Sequence, residues 1–171
     1  MEFFEVLYKR KSIRSYKKDP VSEEKLKKVL DAARVAPSAC NKQPWHFIVI
    51  REEKIRKELQ EAYSKEWFYS APVIVCACGE VSKNWVRKYD NKNYNDVDVT
   101  IAMDHLILAA TAEGLGTCWI AAFNPEVVRK VLNLPQGIEP VALTPLGYPE
   151  ETFGGKTDRK TLSDIIHWEK W

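Results

Sequence analysis

The chain has none of the cysteine spacings that mark a metal site or a disulfide framework. Its four cysteines, Cys40, Cys76, Cys78 and Cys118, contain no CxxC. They share no paired ligand spacing with His46, His105 and His167, which argues against zinc. No apolar run approaches the roughly eighteen residues that a membrane-spanning helix needs, and Met1-Glu-Phe-Phe-Glu5 does not read as a secretory signal. With no second compartment indicated, a reducing, cytoplasmic setting is expected. A Rossmann-type glycine motif, an internal repeat and a linker are also missing, so 1-171 is expected to form a single domain. The net charge of +2 is too small for a nucleic-acid-binding domain, and any recognition of anions has to be local.

What is present is an ordinary globular composition, 45% hydrophobic, 29% charged and 11% aromatic. A chain of this length hides roughly two-thirds of its unfolded surface on folding. Residues 2 to 9 read as a short helix. Ser22 caps a second one, with Glu23 and Glu24 in its first turn and Leu26, Val29, Leu30 and Ala33 on one face. Pro37 to Pro44 reads as a polar loop leading into a strand, Trp45 to Ile50. A helix over 52 to 63 and a strand over 73 to 78 follow, and alternation along that strand puts Cys76 and Cys78 on one face, as two buried thiols or as a redox pair.

Residues 82 to 95 read as a surface loop or irregular helix whose Trp85, Tyr89 and Tyr94 either form a lid or pack down. From Asp96 to Glu113 almost no polar face is left, so that helix must be covered all round, as a central helix or at a dimer interface. Gly114 caps it, Thr117 to Ala121 reads as a strand, and a helix from Pro125 to Leu132 and a strand over 141 to 146 complete the order. The C-terminal stretch, rich in Trp, is expected to be ordered. Helices around a central mixed sheet are the expected architecture, an α+β fold.

The residues that point to chemistry begin with Arg10-Lys11-Ser12-Ile13-Arg14-Ser15-Tyr16. Guanidinium groups meet phosphate oxygens through paired planar hydrogen bonds, Lys adds a point charge and Ser12 one more donor. Cations at a helix end also complement its dipole, so the run alone leaves both readings open.

Three further motifs follow: Ala36-Pro-Ser-Ala-Cys-Asn-Lys-Gln-Pro-Trp45; Asp98 through Gly114-Leu-Gly-Thr-Cys-Trp-Ile120; and Leu146-Gly-Tyr-Pro149 with Arg159-Lys160 and His167-Trp168. In this order and nearly end to end, the sequence resembles the FMN-dependent nitroreductases. The resemblance implies a nitroreductase-like three-layer sandwich, a central sheet flanked by helices, that forms a homodimer.

Carried over by position, it implies that Arg10, Lys11, Ser12 and Arg14 hold the phosphate, ribityl chain and pyrimidine edge of FMN. Pro37, Ser38, Asn41 and Gln43 belong to a loop supplied by the other subunit, and Leu115, Gly116 and Thr117 run along the flavin ring. Arg159 and Lys160 reach the phosphate from the tail. Where the family often carries a Lys two positions before that Arg, this chain has Thr157, with Lys156 or Lys160 as substitutes, a departure expected to weaken the tail contact.

No catalytic side chain is implied, because the flavin carries the chemistry. The implied activity is a ping-pong transfer of electrons from NADH or NADPH to an electrophilic small-molecule acceptor such as a nitroaromatic or quinone. Trp67, Phe68, Tyr89 and Trp119 are the aromatic candidates for the acceptor pocket, or else core. The alternatives are another activity of the superfamily (dehalogenation, flavin destruction, enone reduction), a flavin-binding redox sensor with little turnover, and nucleic-acid binding through Lys9 to Lys18, which would be steeply salt-dependent.

Overall fold

The computed structural model describes residues 1–150 and 158–171. Helix α1 (Phe3–Lys9) leads through an extended segment to α2 (Glu23–Arg34). Ser22 caps α2 by accepting the Lys25 N–H at 3.3 Å, and Leu26, Val29 and Ala33 form its buried face. The helix ends three residues before Pro37, and the loop that follows contains a 3-10 turn, Ala39–Asn41.

Strand β1 (Trp45–Ile50) matches its expected span. The helix expected over 52 to 63 is shorter: α3 is Glu53–Glu58, and a 3-10 turn, Leu59–Glu61, follows. The reason is local, since the N–H groups of both Ala62 and Tyr63 converge on the Leu59 carbonyl. Next come α4 (Glu66–Tyr69), β2 (Val73–Glu80), α5 (Asn95–Ala112), β3 (Gly116–Thr117), α6 (Pro125–Val131) and β4 (Ile138–Gly147).

The sheet order is β1-β2-β4-β3, and every pairing between these strands is antiparallel. Its mixed character rests on one parallel bridge among the described residues, Ser12 with Thr117. Buried on both faces, β2 reads as an unbroken apolar run. Val73, Val75 and Ala77 pack with α2 and α5, whereas Ile74, Cys76 and Cys78 pack with Leu59, Phe68 and Val128. Helices on both faces of one sheet make three layers. Cys76 and Cys78 are free buried thiols with their sulfurs 3.5 Å apart.

One expectation is corrected here. The strand expected over Thr117 to Ala121 ends at Thr117, because the Cys118 N–H turns to Thr144 Oγ1 at 3.2 Å, and pairing resumes only at the Ile120–Leu143 bridge. Of the two readings of residues 82 to 95 the loop holds, up to the start of α5 at Asn95; a Val86–Asn93 bridge closes it, and Trp85 packs edge-on against Tyr94 with centroids 5.0 Å apart. Tyr89 stands outside that packing, 97% exposed.

Helix α5 runs antiparallel to α2. Lys25 Nζ donates to the Glu113 carbonyl at 2.7 Å near one end, and His105 Nδ1 lies 3.3 Å from the Ala32 carbonyl toward the other. One chain does not cover α5 all round: Val97 is exposed, and Ile101 and Leu108 on the same stripe are half-buried. Phe3, Phe4, Leu7 and Tyr8 of α1 are exposed as well. In the tail, Thr161 and Asp164 form a capping box and His167 stacks on Trp171, yet Leu162, Trp168 and Trp171 are exposed.

Candidate cofactor site

The basic run lies in an extended segment seated on β3. The Ile13 N–H donates to the Thr117 carbonyl at 2.8 Å, and Tyr16 Oη donates to the Ile13 carbonyl at 2.6 Å. Ile13 is buried, and because alternate residues of an extended chain face opposite ways, Ser12 and Arg14 are turned outward and exposed. The seat requires Gly116, where a Cβ would stand 2.7 Å from Ile13 Cγ1. The Arg14 guanidinium lies over the Trp67 ring, 5.9 Å from its centroid.

Lys11, Ser12, Ile13, Arg14 and Ser15 line a concavity of about 210 Å³. Beneath it sits Cys118; burial pushes its thiol up, while the Arg14 charge, a Ser12 hydrogen bond and the Arg10 charge act in the opposite direction. Among the described residues neither Arg10 nor Arg14 is in an ion pair with a carboxylate. Two fixed cations and an exposed hydroxyl around one hollow suit a phosphate-bearing cofactor. At its edge Ser15 donates a hydrogen bond to Glu150.

The second motif forms a taut loop. Cys40, Asn41 and Gln43 hold positive φ angles of 50°, 53° and 47°, conformations that cost a non-glycine residue about 1–3 kcal/mol each unless the surroundings impose them. Ser38 Oγ accepts the Gln43 N–H at 2.9 Å, Gln43 Nε2 donates to Asn41 Oδ1 at 3.0 Å, and Asp98 Oδ1 accepts the Ala39 N–H at 3.0 Å. Asp98 is buried, and among the described residues its other oxygen has no donor. The side chains of Asn41 and Gln43 are exposed, as is Pro37.

The chain does not bring these two motifs together. Asp98 ties the loop to the first turn of α5, whereas the basic run sits on β3, beyond the last turn; Asp98 and Ala112 are roughly 20 Å apart along the helix axis. Of the third set, Leu115 is core, and its N–H is taken by the Ala110 carbonyl at 2.8 Å. Thr117 is buried too, so only backbone at Gly116 and Thr117 can line a ligand. Arg159 and Lys160 are exposed, Arg159 donating to the Asp158 carbonyl at 3.0 Å. Lys156 and Thr157 lie outside the described residues.

Of the four aromatic candidates, Trp67 alone touches the basic run. Phe68 is fully buried core, Trp119 packs against the α2 and α5 core, and Tyr89 stands exposed on the single chain. Asp98 as loop anchor and Cys118 beneath the hollow are contributions the sequence did not announce, since neither has a neighbour in sequence that shares its role. Among the described residues no cluster of His, Cys, Asp and Glu is placed to hold a metal, and no helix is long and apolar enough to cross a membrane.

Comparison with known proteins identifies the family of the chain. The model of the nitroreductase family matches residues 7–71 and 60–148. An Archaeoglobus fulgidus protein named as a candidate NADH dehydrogenase/NAD(P)H nitroreductase is 36% identical over 99% of this chain and 99% of its own. The FMN reductase [NAD(P)H] of Bacillus subtilis is 28% identical, over 99% of this chain and 74% of its own. A crystal structure of a nitroreductase family protein from Clostridium difficile 630 superposes with a TM-score of 0.91 at 38% identity, covering all of both chains.

The fold and these relatives define an oxidoreductase class that uses FMN and NAD(P)H. This chain belongs to the nitroreductase family.

Proposed function

We propose that two copies of this chain form an FMN-dependent oxidoreductase that takes electrons from NADH or NADPH and delivers them, in ping-pong order, to an electrophilic acceptor such as a nitroaromatic or quinone. The observation that carries this reading is the separation of the two walls along α5. Lys11, Ser12 and Arg14 line an open hollow, with Arg10 next in the chain, and the preformed Pro37 to Gln43 loop ends in exposed amides at the far end of the same helix. A two-fold pairing of α5 stripes, antiparallel to each other, sets the loop of one copy over the basic run of the other. The exposed apolar residues of α1, the α5 stripe and the tail supply the surface for that pairing.

FMN, when bound, supplies the hydride chemistry. The chain's residues do the rest. Arg10, Lys11, Ser12 and Arg14 bind the phosphate and polar edge, and Trp67 holds the Arg14 plane in place. Backbone at Gly116 and Thr117 allows close approach along one side, and Asn41 and Gln43 present amide donors and acceptors from the other copy. Anaerobic mixing of the FMN-loaded protein with NADH and NADPH, followed at the flavin absorbance, tests the function. Bleaching much faster than that of free FMN, then recovery on adding a quinone, is the expected result. Bleaching no faster than free FMN refutes it.

A further inference from the structure

A cleft of about 550 Å³ lies apart from the hollow just described. It opens at the end of the sheet where β1 finishes and β2 begins, and four cations face it: Lys18, Arg51, Arg56 and Lys57. Such a volume lies within the range of about 300–1,000 Å³ typical of small-ligand sites. We propose that this cleft is a second anion site, which takes a phosphomonoester or pyrophosphate group.

Two of the cations are already held. The Arg56 guanidinium donates to the carbonyls of Tyr69, at 3.1 Å, and of Ala71, with Nε 3.4 Å from the Arg51 carbonyl, so its charge is fixed in the wall; burial lowers its pKa, but a guanidinium stays protonated. Lys57 pairs with Glu53 at 2.6 Å. The other two are not held. Lys18 and Arg51 are exposed and form no ion pair or side-chain hydrogen bond among the described residues.

Against the four cations the cleft presents two carboxylates, Glu53 and Glu66, the first of them already paired. Excess positive charge in a concave wall focuses the field on an anion. The hydroxyls of Tyr69 and Ser70 add donors, and buried Val21 with Pro72 gives an apolar floor. The cleft also borders the basic run. Helix α4 is a wall common to both, Trp67 lying under Arg14 and Tyr69 lining the cleft, and Lys18 follows Arg14 by at most about 14 Å of extended chain.

The anion has two possible sources, a phosphate of the nicotinamide donor or a separate phosphorylated ligand. The first rests on the function proposed above; the cleft itself does not. Calorimetric titration of the FMN-saturated protein with inorganic pyrophosphate at low ionic strength tests the site, with flavin occupancy read beforehand from absorbance. Failure to hold FMN is thereby seen separately from failure of the cleft.

The wild-type chain should bind pyrophosphate, and the double variant K18A/R51A should bind it about tenfold or more weakly, with unchanged flavin occupancy. K18A and R51A alone should each show part of the loss. No binding by the wild type, or equal binding by K18A/R51A, overturns the proposal. A rise in KM for NADPH but not NADH in the double variant assigns the anion to the donor's 2′-phosphate; equal KM values alongside lost pyrophosphate binding assign it to a separate ligand.

Discussion

Asp98 and Ala39, distant in sequence, meet where the long helix begins: the carboxylate accepts the Ala39 N–H at 3.0 Å and pins the head of a loop that holds three non-glycine residues at positive φ. The bond joins the helix whose apolar stripe is unpartnered to the loop that carries Asn41 and Gln43. Replacement by Asp98→Ala leaves a part-buried N–H without its acceptor, a cost of about 1 kcal/mol. Hydrogen exchange at residues 38 to 43 should accelerate, and FMN affinity should fall, while exchange in β2 stays slow. Unchanged exchange in the loop would remove Asp98 from its anchoring role.

Gly116 should tolerate no side chain. A methyl group there meets Ile13 Cγ1 at 2.7 Å and two more Ile13 atoms at 2.9 Å. Gly116→Ala therefore lifts the Arg10 to Arg14 run from β3, an overpacking cost of about 1–3 kcal/mol. Thermal unfolding and FMN titration together should show lower stability and weaker cofactor binding. Gly114→Ala is the contrast: its added Cβ meets nothing within 4 Å, and only its φ of +76° opposes the change, so flavin affinity should hold.

Acid should loosen the far end of the loop. The Glu80 carboxylate accepts hydrogen bonds from Lys83, His46 and Ser82, which lower its pKa from 4.5 to about 2. Its backbone N–H also holds the Pro44 carbonyl at 2.7 Å. A depressed carboxylate stabilises the fold above its unfolded pKa, and that contribution is lost as pH falls from 4.5 toward 2. Glu80→Gln should flatten the dependence of Tm on pH in this window by lowering Tm near neutrality while leaving it little changed at the acid end. An identical acid profile in the variant would show that Glu80 plays no part.

Much of the fold could be read because its signals are local. Ser22 ahead of two glutamates, β1 between Pro44 and Arg51, and the apolar run of β2 each determine their element over a few neighbouring residues. Thr117 to Ala121 could not be read, since its strand ends on a hydrogen bond to Thr144, remote in sequence. The helix expected over 52 to 63 failed for a different reason: periodicity continues through Ile55 and Leu59 while the carbonyl of Leu59 switches to 3-10 bonding. In the site, the motif order placed Arg10, Ser12 and Arg14 together, but Leu115 belongs to the core, and Asp98 gained its role only through folding. Which copy supplies the loop is a property of two chains, so a single chain shows only that its own loop lies too far away.

The shared site can be measured through complementation. The R10A/S12A variant lacks one wall and N41A/Q43A lacks the other, so neither homodimer should retain FMN. Co-expressed at equal levels, the two chains pair at random; half the dimers are mixed and each mixed dimer has one intact site, restoring about a quarter of the wild-type flavin content. That recovery, read from the 450 nm region of the spectrum after confirming mixed dimers by mass, is the predicted result. Mixed dimers that bind no more FMN than either parent would contradict a site built from two copies.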